Sequence, residues 1–176
     1  MLKTANNQLS LILKEKEMSA SIKLDQTDRK ILTILQKHAK ITNAQLSKDI
    51  DLSPAPTLER VKKLENTGII ESYHAKLNGQ LLGFDVNSFV SVKVNRFDKK
   101  SVESFLGKIN KVDEVMECHS VSGEYNFLLR IVAKDLASFE AVLSEKISTI
   151  TEVAEYNSMI IMSTPKDTKV IPVEKM

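Results

Sequence analysis

No stretch narrows the folds open to this chain as sharply as Ser53-Pro54-Ala55-Pro56-Thr57-Leu58-Glu59-Arg60-Val61-Lys62-Lys63-Leu64. Ser53 suits a helix N-cap, its hydroxyl accepting from the orphan N–H groups of the first turn. Pro54 suits the first helical position, and Pro56 is still in the first turn, where it breaks no ladder bond. Leu58, Val61 and Leu64 recur every third residue and predict one apolar stripe, with Ala55, Pro56, Glu59, Arg60 and Lys63 on the other side. Gly68 reads as the stop. Such a helix is held from behind and read from in front. Small residues at its front end let a backbone approach, and Arg can grip guanine or phosphate with two bonds, which suits a DNA major groove. On these twelve residues alone, an ordinary amphipathic helix with a solvated charged face explains the pattern as well.

The residues upstream tip the balance. Asp25 is an N-cap candidate, with Asp28 in the first turn favouring the positive helix end. Ile31, Leu32, Ile34 and Leu35 supply a buried face, and His38 and Lys40 sit at the C-terminal end, favourable for the dipole, with His38 a solvated helix-end residue and not a ligand. Thr42 caps a second helix running to about Asp49, with Ala44, Leu46 and Ile50 pointing inward. Asp51-Leu52 turns the chain into the Ser53 cap, with Leu52 as an apolar plug. Two short helices joined by a tight turn make a helix-turn-helix, in which the first braces the second across the groove. In that setting Arg60 and Lys63 become DNA contacts and Lys62 meets phosphate or solvent. Thr42 and Asn43 can hydrogen-bond phosphate, with Thr42 as a simple cap the equal alternative. The candidate DNA-contacting residues are Thr42, Asn43, Ser53, Ala55, Pro56, Thr57, Glu59, Arg60 and Lys63.

Charge supports the division only mildly. The net charge is +2 over 176 residues. Residues 21–78 carry ten Lys/Arg against seven Asp/Glu, and residues 79–176 carry twelve against fourteen, so the front is basic and the back acidic. A lone cysteine, Cys118, excludes an internal disulfide framework and suits a reducing cytosol, placing the protein in the cytoplasm. No apolar run is long enough to span a bilayer, so no membrane partner is expected.

Ile69 to Asn78 alternates and is β-rich, predicting a strand or wing that leaves the DNA-binding unit, and Asn78-Gly79 marks a hinge. His74 reads as a surface strand residue. Beyond the hinge the periods alternate. Val86–Val94 predicts a strand, residues 99–110 a helix, and Val115–Val121 and Tyr125–Ala133 a hairpin across Ser122-Gly123-Glu124. Asp135 opens a helix carrying Leu136, Phe139, Val142, Leu143 and Ile147, and Val153–Met162 is a last strand. The order βαββαβ predicts a ferredoxin-like α+β domain. Both helices on one face leave the other for a second copy to cover. The expected domains are an extension over 1–21, a helix-turn-helix domain over 22–72, a linker over 73–84, the ferredoxin-like domain over 85–165 and a tail over 166–176. In residues 1–20, Leu9, Leu11, Ile12 and Leu13 form an apolar cluster. It reads either as a helical arm for a partner or as an extension ahead of a start at Met18.

Other constellations point nowhere. Cys118-His119 are neighbours on a strand and face opposite ways, so no metal site is expected. Ser122 with His119 lacks an orienting third group, and no Gly-rich phosphate loop occurs. An enzyme is therefore not expected, nor a cofactor.

Leu24-Asp25…Asp28…Ile31-Leu32, Leu52 through Glu65 with Gly68-Ile69-Ile70, Glu117 through Leu129, and Val153 with Ser158 through Met162 occur in order at a familiar spacing. Over residues 22–173 the chain resembles the leucine-responsive regulatory protein / asparagine-synthetase regulator (Lrp/AsnC) family of prokaryotic transcription factors. The resemblance implies a DNA-binding helix-turn-helix, a C-terminal domain for effector binding and assembly, dimers that join into octamers, and a free amino acid as effector. The family pocket, carried over by position, falls on Gly123, Asn126 and Ser158, at an interface between dimers. Asn126 stands where the family has a carboxylate, so an α-ammonium group meets a weaker acceptor here. Asp51 stands where many members have Gly, a change that a left-handed turn tolerates. The rival reading is a small-molecule-sensing assembly protein with weak or no specific DNA binding.

Overall fold

A computed structural model describes residues 23–175, so the expectations for residues 1–20 lie outside it. The described chain divides into two units. Residues 23–76 with 166–175 form one, and Leu77–Pro165 the other.

The first unit holds three helices: α1 (Gln26–Lys37), α2 (Asn43–Asp49) and α3 (Pro54–Asn66). Asp25 opens α1 as expected. Its Oδ1 accepts from the Asp28 N–H at 2.8 Å, and Asp28 Oδ2 accepts from the Asp25 N–H at 3.4 Å, a reciprocal capping box. Thr42 Oγ1 caps α2 by accepting from Gln45 N–H at 3.2 Å. Ser53 occupies the N-cap position of α3, but its hydroxyl makes no capping bond. An N-cap hydroxyl accepts from the second or third helical N–H, and the third residue here is Pro56, which has none. The Ser53 carbonyl instead accepts from Thr57 Oγ1 at 2.9 Å. Between α2 and α3, Asp51 adopts φ 58°, the left-handed turn expected of it. Leu52 N–H then bonds Ser47 O at 2.9 Å.

Ile31, Leu32, Leu46, Ile50 and Leu64 form the core of this unit, with Leu52, Val61, Ile69 and Ile70 packed around it. Ala44, expected inward, is exposed, and Ser47 is buried in its stead, its hydroxyl donating to the Ala44 carbonyl. The strand expected over Ile69 to Asn78 does not form. Residues 71–78 pair with no strand among the described residues, and a lone β-rich segment has no partner for its ladder. Side chains fasten it instead: Tyr73 donates to Glu65 at 3.0 Å and Lys76 pairs with Asp167 at 2.6 Å. The C-terminal residues return to α1. Gln36 and Ile171 exchange two hydrogen bonds, Gln36 Nε2 to Ile171 O and Ile171 N–H to Gln36 Oε1, and Val173 packs on the core.

The second unit follows the expected order: β1 (Val86–Val94), α4 (Lys99–Ile109), β2 (Val115–Ser120), β3 (Phe127–Ala133), α5 (Leu136–Ala141, continuing as π-helical turns over Val142–Ile147) and β4 (Val153–Ile160). The strands lie antiparallel in the order β2-β3-β1-β4. Val86, Val90, Val92 and Val94 of β1 and Phe127, Leu129, Ile131 and Ala133 of β3 share one face, and α4 and α5 pack on it. Phe105 of α4 stacks on Phe127 with ring centroids 4.6 Å apart. Cys118 packs against the same core. The opposite face is mixed. Phe89, Leu128 and Val132 sit half-buried there, with Met159 exposed. Arg130 bonds Glu117 at 2.8 Å and Asn87 at 3.3 Å, and Glu117 also holds His119 at 3.0 Å.

Two measurements check this account. Asp51→Gly should be neutral or slightly stabilising, whereas Asp51→Val, β-branched at positive φ, should lose about 1–2 kcal/mol in urea unfolding. Glu152 accepts from Lys108 and Ser104, each at 2.6 Å, and these bonds lower its pKa from an ordinary 4.5 to about 2. A depressed carboxylate stabilises above its unfolded pKa and loses that contribution as pH falls through the folded one. Wild type and Glu152→Gln should therefore differ most near neutrality, and their unfolding midpoints should converge between 4.5 and about 2.

Candidate nucleic-acid interface and ligand site

The inward side of α3 differs from the expected stripe. Thr57 and Leu64 are buried, Arg60 and Val61 half-buried, while Leu58 is 44% exposed. Spacings of three, four and seven residues put Thr57, Arg60, Val61 and Leu64 on one side. Thr57 is thus sealed from any partner, its hydroxyl spent on Ser53 O, and does not belong among the DNA-contacting residues.

Arg60 also turns inward. Its Nη1 donates to Asp25 Oδ2 at 2.6 Å and to Asp28 Oδ1 at 2.7 Å. Asp28 is 1% exposed, and a carboxylate that far from water requires a cation. The bond from the Asp28 N–H, then that from Arg60, lowers the Asp25 pKa, and the two carboxylates raise that of Arg60. Arg60 therefore ties α3 to the first turn of α1. Lys63 lies 3.9 Å from Asp28 and keeps most of its side chain in solvent.

Ala55, Pro56, Glu59, Lys62 and Lys63 are exposed on α3, with Ser53 ahead of them. Thr42 is exposed at the start of α2. Asn43 is half-buried, and its Nδ2 donates to Pro54 O at 2.8 Å, joining the openings of α2 and α3. These residues share one unit and surround the front end of α3.

The three candidate ligand residues are placed differently. Gly123 sits in the β2–β3 turn at φ 133°, a conformation open to glycine. Asn126 stands at the foot of that hairpin. Its N–H donates to Val92 O, and its Oδ1 accepts from Val94 N–H at 3.0 Å. The amide thus closes the end of the β1–β3 ladder, where β1 also shifts register against β4 between Lys93 and Val94. Ser158 is exposed on β4, opposite Val90. Four residues of β1 separate Val90 from Val94, roughly 13 Å along the strand. One chain does not bring Ser158 to Asn126.

Two family models match in sequence order. A winged helix-turn-helix DNA-binding model covers residues 24–71, and an Lrp/AsnC ligand binding domain covers residues 87–171. The transcriptional regulator AzlB of Bacillus subtilis (strain 168) is 35% identical over 155 residues, 88% of this chain and 99% of its own. The leucine-responsive regulatory protein of Escherichia coli (strain K12) is 37% identical over 143 residues, 81% of this chain and 87% of its own. Among solved structures, the transcriptional regulator NMB0573 of Neisseria meningitidis, in complex with L-Met, superposes with a TM-score of 0.83 at 31% identity, covering 87% of this chain and 99% of that one. Two domains, matched in order and across nearly the full length of these regulators, make this chain a member of the Lrp/AsnC family of transcriptional regulators.

Proposed function

We propose that this regulator reads duplex DNA with the exposed side of α3 and that a free amino acid, bound between copies, modulates it. The observation that carries the DNA reading is the bare front of α3. Ser53, Ala55, Pro56, Glu59 and Lys63 are exposed, with Thr42 and Asn43 at the start of the bracing helix beside them. Two small residues in the first turn let the helix approach base edges, Glu59 can accept from cytosine, and Lys63 supplies charge. Arg60 acts here as a positioning residue, fixing the angle of α3 through Asp25 and Asp28. The protein acts as a binding protein without a catalytic step, in the cytoplasm where the chromosome lies.

The two roles for Arg60 separate in a binding experiment. As a positioning residue, its replacement by Ala should weaken all duplex sequences together by about 1–2 kcal/mol, and Asp28→Asn should reproduce the loss. A base-reading Arg60 would instead relax preference at one position, with Asp28→Asn leaving that preference intact. Competition binding over a panel of single-base operator variants decides it.

For the ligand, Gly123, Asn126 and Ser158 are the proposed contacts. Their separation in one chain favours a pocket completed by a second copy, and the open sheet face supplies a pairing surface for a homodimer and higher assemblies such as an octamer. Asn126→Asp keeps an oxygen for Val94 N–H and adds a second, anionic one for an α-ammonium group. It should tighten amino-acid binding by about tenfold, the order expected of one charge-assisted bond. Calorimetric titration with a set of free amino acids, L-Met included, checks it. No gain for any of them places the pocket elsewhere.

A further inference from the structure

Lys37, His38 and Lys40, at the end of α1 and in the turn into α2, face Tyr73 and His74, in the segment after α3, across an open groove of about 730 Å³. No residue of α3 lines it. Four of these five side chains can carry positive charge, and no carboxylate lines the groove. The sequence separates His38 from His74 by the whole helix-turn-helix, and each alone is an unremarked surface residue. The fold makes them two walls of one cleft.

We infer that this groove is a clamp for a backbone phosphate of duplex DNA, outside the recognition helix. Part of its charge answers a local need. Lys37 and His38 stand at the C-terminal end of α1, where the helix dipole favours cations. Lys40 and His74 lie beyond that last turn and have no such duty. Lys40 is two residues ahead of the exposed Thr42, at the entry to α2, and in a helix-turn-helix this bracing helix crosses the sugar-phosphate backbone. A strand that passes α2 therefore comes next to Lys40. Tyr73 keeps the far wall in place by donating to Glu65 of α3 at 3.0 Å. Burial and then Glu65 push the phenol up to about 12, so it remains a neutral donor. The clamp rests on duplex DNA lying against α3. The charged groups around the two histidine rings are Lys37 and Lys40, with Glu65 engaged by Tyr73, so the groove presents a positive field to an anion.

The test uses the full chain and a long mixed-sequence duplex, with affinity followed over a range of salt. Each phosphate neutralised contributes about 0.9 to the slope of log affinity against log salt. The Lys40→Gln/His74→Gln variant should lose about one unit of slope. Lys111→Gln, in the other unit, serves as the control, and equal melting temperatures show that the double variant is folded. If wild type binds no duplex at all, the DNA reading of α3 fails as well. If wild type binds and the double variant keeps its slope, the clamp alone is wrong. Inorganic phosphate added without DNA, with the histidine ring protons followed by NMR, separates the sources. Perturbed rings with an unchanged DNA slope make the groove a site for free phosphate and overturn the DNA assignment.

Discussion

Asp28 is almost wholly shut off from solvent on the inner side of α1, and its charge is made tolerable by Arg60 of α3. Removing Arg60 strands the Asp28 carboxylate beside an apolar core, a far larger penalty than the net value of the pair. The pair also has direction. Arg60 reaches two carboxylates that are themselves locked by the Asp25–Asp28 capping box, so the end of α1 sets where α3 lies. Dispersion contacts from Ile31, Leu46 and Leu64 hold the helices together without fixing an angle so narrowly. A reading helix needs that angle, because side chains a few ångströms out of register miss the base edges they are built for.

The same economy recurs at the other end of the chain. Asn126 spends its amide oxygen on the backbone of β1 before any ligand arrives. On the proposed ligand reading, a residue at this position has two duties, closing a ladder and facing a pocket. A neutral amide performs the first as well as a carboxylate does and the second less well. Glu152 is similar in kind: one carboxylate binds Ser104 and Lys108 of α4 at the turn into β4, and so joins helix to sheet.

Much of this was legible from the residues, because period and punctuation are local signals. Asp25, Thr42 and Asp51 do in the structure what their side chains dictate, and β1, α4, β3 and α5 follow hydrophobic periods over many residues. What escaped was set by partners distant in sequence. Leu58 and Thr57 exchange places because a one-residue rotation of α3 lets Arg60 meet Asp28, thirty-two positions away. One clue was present: Asp28 stands at helical spacing with Ile31 and Leu32, on the apolar side, where an acid needs a cation. The Ser53 hydroxyl makes no capping bond, and Pro56 removes one of the two N–H groups it could have used. Ile69 to Asn78 has strand composition, but composition does not supply a neighbouring strand. The return of Ile171 and Val173 to α1 left no local mark at all.

That return makes the DNA-binding unit discontinuous in sequence. Its helices precede the sheet unit in the chain, whereas Val173 and the Ile171 backbone that engages Gln36 follow every strand of it. The nascent helix-turn-helix completes its packing only after every strand of the sheet unit has emerged. The half that touches DNA and the half that senses a ligand therefore mature together, and a chain cut short after β4 leaves the first helix bundle unfinished.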